Sequence, residues 1–227
     1  MTYLEMILSN EKYLQDFITR STYNSNAIEG STLSMNETYA LLFDSNHCLI
    51  SDKLAREIYE AINHKNILLE LFDEIMNKKI FSKELLIKIN QTINENIMYV
   101  GGYRMGPIRI IGSEKTFLTP LELDEIMDKY LNETNKLFNQ SITMKDIAKM
   151  HNDYENIHPF PDGNGRTGRL MINYILLFNN MCPIVIPMSK RKEYLEYMEN
   201  NDIDSLASLF DELQKEEVKR MNDFMKM

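Results

Sequence analysis

The chain has 227 residues, of which 44% are hydrophobic and 26% charged, so it is long enough for one or two globular domains with a buried core. The formal net charge of −9 argues against a protein that binds the phosphate backbone of nucleic acids. Two cysteines, Cys48 and Cys182, are too few for a disulfide framework or a four-thiolate zinc site.

The N-terminal segment has no export signature, because Glu5 stands where a signal peptide carries basic residues. Reduced thiols also suit a reducing compartment. We therefore expect a cytoplasmic protein.

Most of the chain has helical periodicity. Ser25 and Glu29 are four residues apart, which places them on one helix face, and Gly30 is suited to end that helix. Apolar residues then recur at helical spacing from Lys53 to Met76, and an apolar stripe runs through 206–224. These patterns predict an all-α fold.

Another helix is predicted to begin after Thr143, which has an acid three residues further on, as in a capping box. Its apolar face comprises Met144, Ile147, Ala148, His151 and Tyr154. The most apolar stretch of the chain, 170–186, contains three asparagines and a proline, and its longest apolar run is far below the ~18 residues of a membrane span. It predicts a core helix, and we expect no membrane partner.

One region breaks the helical pattern. Four of the eight glycines lie between 101 and 112, around the β-branched run 108–111. This composition predicts a small β-hairpin, or flap, inserted between helices, with Lys115 and Thr116 near its tip. An ordinary exposed hairpin is the alternative interpretation.

The segment 158–169, HPFPDGNGRTGR, ends one predicted helix and begins the next. A helix N-terminus preceded by glycines offers unpaired N–H groups to an anion, and Arg166 and Arg169 lie in the same first turn. A single carboxylate, Asp162, beside phosphates suits Mg²⁺, and His158 has the ordinary pKa of a general base near neutral pH. The segment is not a P-loop, because it lacks GxxxxGK(S/T).

Each part has a structural alternative: a histidine that ends a helix, a turn at Asp-Gly, and a solvated Arg-x-x-Arg face. A metal cluster of His151, His158, Asp153 and Glu155 fits no standard ligand spacing. The basic run 190–192 is interpreted as a solvated loop.

The segment 158–169 matches the Fic family signature, HxFx(D/E)GNGRxxR, at each defined position. Three further stretches resemble the family: Gly-Tyr-Arg and Ile-x-Gly within 102–112, His-x-x-x-Glu-x-Ile at 151–157, and Tyr-Leu-x-x-Met at 194–198. The resemblance implies a single Fic domain over 1–227, with a catalytic core at about 54–210. It also implies a mostly helical transferase that uses ATP and Mg²⁺ to move AMP onto a target protein.

Carried over to this sequence, the resemblance implies that His158 deprotonates a Tyr, Thr or Ser hydroxyl of the target and that Asp162 holds Mg²⁺ between the α- and β-phosphates. Arg166 then takes the β-phosphate and Arg169 the γ-phosphate. The rest of the ATP-binding set is Gly163, Asn164, Gly165, Thr167 and Gly168, with the backbone of 163–165 and the Asn164 side chain on the α-phosphate.

Gly165 separates two activities within the family. The related Doc kinases carry a lysine at this position and phosphorylate, so a glycine favours AMP transfer. The resemblance also implies that the flap, including Ile111, Gly112, Lys115 and Thr116, docks a target segment by strand addition.

The resemblance places Tyr194 and Asn201 in an adenine pocket, although the chain lacks the common Asn-x-Gly-Asp there and Tyr194 also fits a packing role.

The sequence Ser25 to Gly30 matches the Fic inhibitory motif, (S/T)xxxE(G/N). This motif resembles the family class whose inhibitory helix precedes the core, and the corresponding helix region here is about 15–32. In that class the glutamate of the motif pairs with the last arginine of the signature. The resemblance implies that Glu29 pairs with Arg169 in bidentate fashion and takes the place of the γ-phosphate, so that the enzyme inhibits itself.

Three alternatives stay open: a non-catalytic nucleotide-binding or interaction module, the same enzyme acting also to remove AMP, and the same fold moving another phosphate-linked group. Self-modification and a homodimer that holds the Glu29 helix in place also stay open.

Overall fold

The structure, a computed structural model, describes residues 1–44, 54–106, 120–138 and 140–226. Within these ranges the chain forms helices, turns and irregular connections and no β-strand, so the all-α prediction is confirmed there. The helices are α1 (Tyr3–Ser9), α2 (Glu11–Ile28), α3 (Met35–Phe43), α4 (Ala55–Met76), α5 (Lys83–Ile93), α6 (Pro120–Asn135), α7 (Met144–Ile157), α8 (Asn164–Phe178), α9 (Arg191–Glu199) and α10 (Ile203–Met225). A 3₁₀ turn, Met188–Lys190, leads into α9.

The predicted flap falls almost entirely outside the part of the chain that the structure describes. The flap was predicted over Ile108 to Pro120, and its residues up to 119, with Ile111, Gly112, Lys115 and Thr116, lie outside the described residues, as does Cys48. Its last predicted residue, Pro120, instead begins helix α6. Among the helices that the structure does describe, none combines the length and apolarity needed to cross a membrane.

The predicted beginning of α7 is confirmed. The Thr143 hydroxyl accepts a hydrogen bond from the backbone N–H of Asp146, and the Asp146 carboxylate accepts one from the backbone N–H of Thr143. This capping box satisfies two backbone donors that the first helical turn leaves unpaired. The predicted apolar face, from Met144 to Tyr154, is buried, and α7 packs against α8 and α10.

Helix α8 is the central helix of the fold and packs against α2, α4, α5 and α7. Every residue from Leu170 to Phe178 is buried, which explains why this stretch is the most apolar in the chain. Because the helix is surrounded on all sides, its N-terminus is held rigidly beneath the loop 158–163.

The predicted core helix over 170–186 is wrong beyond Phe178. Asn180 takes a left-handed conformation, with φ 54°, and the chain continues without helical structure to Pro187. Asparagine tolerates this conformation and commonly ends helices. The buried Asn173 side chain then holds the returning segment by bonding both the N–H and the C=O of Ile184, at 2.8 and 2.9 Å.

A buried ionic cluster joins α2 to α10. Arg20 makes two hydrogen bonds to the Glu217 carboxylate, at 2.6 and 2.7 Å, and Tyr13 donates its hydroxyl to the same carboxylate at 2.5 Å. Asp16 pairs with Arg20 from the other side at 2.7 Å. Because a buried carboxylate with several donors is strongly held, this cluster determines how α2 lies on the core and therefore where its C-terminal end points.

Candidate active site

The candidate site is the loop 158–163 together with the first turn of α8. His158 ends α7 in a left-handed conformation (φ 52°), and Gly163 precedes α8 in another (φ 77°). Between these residues the buried Asn164 side chain closes the loop, because it donates to the C=O of Phe160 and accepts from its N–H. The prediction that this side chain holds a phosphate is therefore not supported by its geometry. The backbone N–H groups at the start of α8 remain suited to an anion.

Asn90 of α5, which the sequence analysis missed, supports the loop from below. Its side-chain amide donates to the C=O of Asp162 at 2.9 Å and lies 3.2 Å from the hydroxyl of Thr167. Thr167 is fully buried, so its side chain braces the loop and does not face a ligand. A methyl group on Gly163 would lie 3.1 Å from Asn90 Nδ2 and 3.0 Å from Asn94 Nδ2, so the loop requires glycine there for space as well as for backbone conformation.

The His158 imidazole is mostly buried, with 18% of its side chain exposed, and its Nδ1 lies 3.9 Å from the Glu155 carboxylate. Burial lowers the pKa of His158 below its ordinary value, so the ring is neutral near pH 7, as a general base requires. Arg104, the arginine of the Gly-Tyr-Arg stretch, donates to the His158 C=O at 2.9 Å. Arg104 thus fixes the backbone from which the imidazole projects.

The Asp162 carboxylate has donors at both oxygens. Its Oδ1 accepts from the N–H of Gly163 at 2.6 Å and lies 3.2 Å from Arg166 Nη2, while its Oδ2 pairs with Arg56 Nη2 at 2.6 Å. Burial by itself raises the pKa of Asp162, but the charges of Arg166 and Arg56 outweigh it and the pKa is lowered. The group is therefore a carboxylate at neutral pH.

Arg166 is a buried cation, with 2% of its side chain exposed. It pairs with Glu60 of α4 at 3.1 Å and with Asp162 at 3.2 Å. Its Nε has no hydrogen-bond acceptor within the part of the chain that the structure describes. A buried guanidinium donor without an acceptor is costly, so this atom fits a site that receives an anion.

Arg169 faces the end of α2. Its Nε donates to the Ser25 hydroxyl at 3.0 Å, and its Nη2 donates to the Ser25 C=O at 2.9 Å and to Glu29 Oε1 at 2.7 Å. The structure therefore brings Ser25 and Glu29 of the predicted inhibitory motif into contact with Arg169. The contact to Glu29 runs through one carboxylate oxygen, whereas the family resemblance implied a bidentate pair.

Gly165 lies directly beneath the Glu29 carboxylate. A methyl group on Gly165 would lie 2.3 Å from Glu29 Oε1 and 3.0 Å from Arg169 Nη1. The carboxylate thus occupies space over the first turn of α8 that only a glycine leaves open. Gly168 is needed for a different close approach, because a methyl group there would lie 2.6 Å from Glu155 and 2.8 Å from the His151 ring.

Helix α2 ends at the predicted glycine. Gly30 takes φ 103°, a conformation that favours glycine, directly after α2. Arg191 donates its Nε to the C=O of Ile28 at 2.7 Å, which satisfies one of the last carbonyls of α2. The interpretation of 190–192 as a solvated loop is therefore wrong: Arg191 begins α9 and binds the end of α2.

The two predicted adenine-pocket residues are otherwise engaged. Tyr194 is fully buried, and its hydroxyl lies 2.6 Å from Nε2 of the equally buried His151. Asn201 accepts hydrogen bonds from the side-chain amides of Asn152 and Asn156, at 2.9 and 2.8 Å. In this conformation both residues support the packing of α7, as the alternative interpretation of Tyr194 expected.

Neither His151 nor His158 belongs to a cluster of histidine, cysteine and carboxylate side chains able to hold a metal ion, within the residues described. The alternative metal cluster is therefore not seen. A cation that takes most of its ligands from phosphate and water needs only one protein carboxylate, and Asp162 fits that requirement.

Glu60 and Asn90 were missed although each is a polar residue at helical spacing within the buried stripe of its helix, α4 or α5. Arg56 is half-exposed, so no burial pattern marks it. A single sequence does not distinguish such residues from those that merely face solvent.

Comparison with known proteins identifies one family. Residues 80–176 match a model described as the Fic/DOC family. The chain is 30% identical over 178 residues to Protein adenylyltransferase fic-1 of Caenorhabditis elegans, covering 76% of this chain and 34% of the relative. It is 26% identical over 209 residues to Protein adenylyltransferase Fic of Nematostella vectensis, covering 84% and 45%. The chain thus spans less than half the length of these curated relatives.

Two solved structures have the same fold. A Fic domain containing signaling protein from Bacteroides thetaiotaomicron superposes with a TM-score of 0.79 at 22% identity, covering 99% of this chain and 94% of that one. Fic-1 from Caenorhabditis elegans superposes with a TM-score of 0.76 at 22% identity, covering 95% and 64%.

Proposed function

Since the chain belongs to the Fic/DOC family, we propose that it is a protein adenylyltransferase that moves AMP from ATP onto a hydroxyl side chain of a target protein. The observation that carries the proposal is the convergence of a neutral base, a carboxylate and two buried arginines on the N-terminus of one helix. In-line attack on phosphorus needs positioned groups and neutralised charge, which these residues supply.

In the proposed reaction the target hydroxyl oxygen attacks the α-phosphorus of ATP. A bond forms between that oxygen and phosphorus, the bond from phosphorus to the bridging oxygen of the β-phosphate breaks, and pyrophosphate leaves. His158 takes the hydroxyl proton. The N–H groups of 164 and 165 hold the α-phosphate, while the Gly163 N–H stays on Asp162. Arg166 Nε donates to the β-phosphate, and Arg169 takes the γ-phosphate after Arg169 has left Glu29.

Asp162 is the residue that would hold Mg²⁺. When bound, the ion supplies positive charge to the phosphate oxygens and orients them. Gly165 leaves space over the first turn of α8 for the α-phosphate, which favours transfer of AMP over transfer of the terminal phosphate. The flap segment from Ile108 onward, before α6, docks the target by strand addition in this proposal. Tyr194 and Asn201 line the adenine site once the resting contacts rearrange.

We further propose that Glu29 inhibits the resting enzyme. Its carboxylate pairs with Arg169 at 2.7 Å and lies against Gly165. It therefore competes with the terminal phosphate of ATP for Arg169 and with the α-phosphate for the space over Gly165. ATP then binds only in a pose unsuited to in-line attack. The closed Glu29–Arg169 pair also favours a second candidate, a non-catalytic nucleotide-binding module that stays shut.

The test is intact-mass analysis after incubation with Mg-ATP. We would compare the wild type, Glu29→Gly, His158→Ala and the double variant. Glu95→Gly is the matched control, because it removes the same charge from an exposed turn at the end of α5. AMP adducts that increase in Glu29→Gly, stay low in Glu95→Gly and vanish in the double variant would support both the transfer and the inhibition.

An absence of adducts in Glu29→Gly despite measurable ATP binding leaves two explanations, namely no self-modification or no catalysis. Labelled ATP offered with a cell lysate separates them. An absence of labelled protein in that assay as well would favour the non-catalytic nucleotide-binding module. Loss of AMP from a labelled target, dependent on Glu29, would reveal the reverse reaction.

A further inference from the structure

Arg56, in the first turn of α4, is a charged residue at the candidate site that the proposed reaction does not use. Its Nη2 pairs with Asp162 Oδ2 at 2.6 Å, and its Nε donates to Glu60 Oε1 at 2.9 Å. Half of its side chain is exposed, in contrast to the buried Arg166 on the other side of the same carboxylates. Arg56 is therefore the movable member of this charged group.

The two oxygens of Asp162 differ in how firmly they are held. Oδ1 accepts from the backbone N–H of Gly163 and contacts the buried Arg166, and neither donor can leave without unfolding the loop or exposing a buried charge. Oδ2 is held by Arg56 alone among the described contacts. A long, half-exposed side chain leaves such a contact at small cost.

A divalent cation at Asp162 needs one of these oxygens, and Oδ2 is the one that can be freed. We propose, on the basis of the proposed role of Asp162, that Arg56 is a positioning residue whose guanidinium occupies the cation's place on Asp162 Oδ2. Cation binding then requires Arg56 to release Asp162 while it keeps its hydrogen bond to Glu60. Arg56 thereby lowers the affinity of the free enzyme for a divalent cation.

The test measures binding of Mn²⁺ alone, without nucleotide, from the electron paramagnetic resonance signal of the free ion. Removing one positive charge about 4 Å from a divalent cation in a water-like dielectric changes its affinity by roughly thirtyfold, because the cation carries two charges. We therefore expect Arg56→Ala and Arg56→Gln each to tighten Mn²⁺ binding about thirtyfold. Arg220→Ala is the matched control, because Arg220 is similarly exposed and pairs with an aspartate on α2, away from the site.

The control removes the same charge from the chain and should leave the Mn²⁺ affinity within twofold of the wild type. An equal tightening in Arg220→Ala, or no tightening in either Arg56 variant, would overturn the proposal. Asp162→Asn separates this failure from failure of the proposed function. If Asp162→Asn does not weaken Mn²⁺ binding, the metal role of Asp162 is itself refuted. If it does weaken binding while the Arg56 variants match the wild type, only the role of Arg56 is refuted.

Discussion

Replacing Gly165 by alanine tests whether the Glu29 carboxylate rests on the first turn of α8. The added methyl group would lie 2.3 Å from Glu29 Oε1 and 3.2 Å from its Cδ, so the carboxylate must move by about an ångström to restore van der Waals contact. That movement breaks the 2.7 Å contact to Arg169. The same alanine has an ordinary helical backbone, because Gly165 is absent from the positions with positive φ.

Two opposing contributions set how much Gly165→Ala changes the free energy of unfolding. A hydrogen bond between charged groups contributes ~1.5–3 kcal/mol, and the 40% exposure of the Glu29 side chain brings this toward the lower end, about 1.5 kcal/mol. Alanine in place of glycine near the start of a helix stabilises by about 0.5 kcal/mol. We therefore expect Gly165→Ala to lower the free energy of unfolding by about 1 kcal/mol in the wild type and to raise it by about 0.5 kcal/mol in Glu29→Ala.

The assay is urea unfolding of the four proteins without nucleotide, followed by circular dichroism at 222 nm, since the chain has no tryptophan to report by fluorescence. The decisive quantity is the coupling between the two substitutions, about 1.5 kcal/mol. If Gly165→Ala changes stability equally in both backgrounds, to within ~0.5 kcal/mol, the carboxylate does not rest on Gly165 and the inference about its place is refuted.

Four further predictions concern His158, Glu217 and His64. His158→Asn should slow transfer at least ~100-fold. In an enzyme released from inhibition, the transfer rate should fall only as the pH drops through a midpoint below 6.5, because burial lowers the pKa of His158; a midpoint above 7 would contradict this. Glu217→Gln should lower the free energy of unfolding by about 3 kcal/mol in urea unfolding, because it leaves Arg20 without its buried partner, and a loss below 1 kcal/mol would show that the cluster does not hold α2. Burial lowers the pKa of His64 to about 3. Between pH 7 and pH 5 the His64 imidazole therefore becomes protonated in the unfolded chain but stays neutral in the folded chain. The wild type should lose about 2 kcal/mol more stability over that interval than His64→Gln, and parallel curves would rule out a neutral buried imidazole.

The candidate site could be located from the sequence because most of its residues are close together in the chain. His158, Asp162 and the first turn of α8 lie within one twelve-residue segment, and glycine spacing, helix ends and residue types specify such a segment without reference to the rest of the chain. The beginning of α7 after Thr143 and the end of α2 at Gly30 were predicted for the same reason, because helix caps depend on neighbouring residues.

The sequence-based predictions were wrong where contacts between residues far apart in the chain determine the structure. The apolar stretch after Leu170 was predicted to stay helical to 186, yet the chain turns at Asn180 and is held by Asn173, because a buried asparagine can replace the missing helical hydrogen bonds. Arg191 was assigned to solvent, although its partner is a carbonyl 163 residues earlier in the chain. No local pattern encodes either contact.

The sequence by itself therefore determined the helical class, the position of the glycine-rich turn that begins α8 and the presence of His158 and Asp162 in that turn, because short-range backbone geometry and residue types specify them. The contact of Glu29 with Arg169 across 140 residues was implied by the family resemblance, and its geometry came from the tertiary structure. Only the tertiary structure decided that Arg56 pairs with Asp162 across 106 residues. Both contacts depend on how α2 and α4 pack against α8, and packing follows from the shape and burial of the whole core.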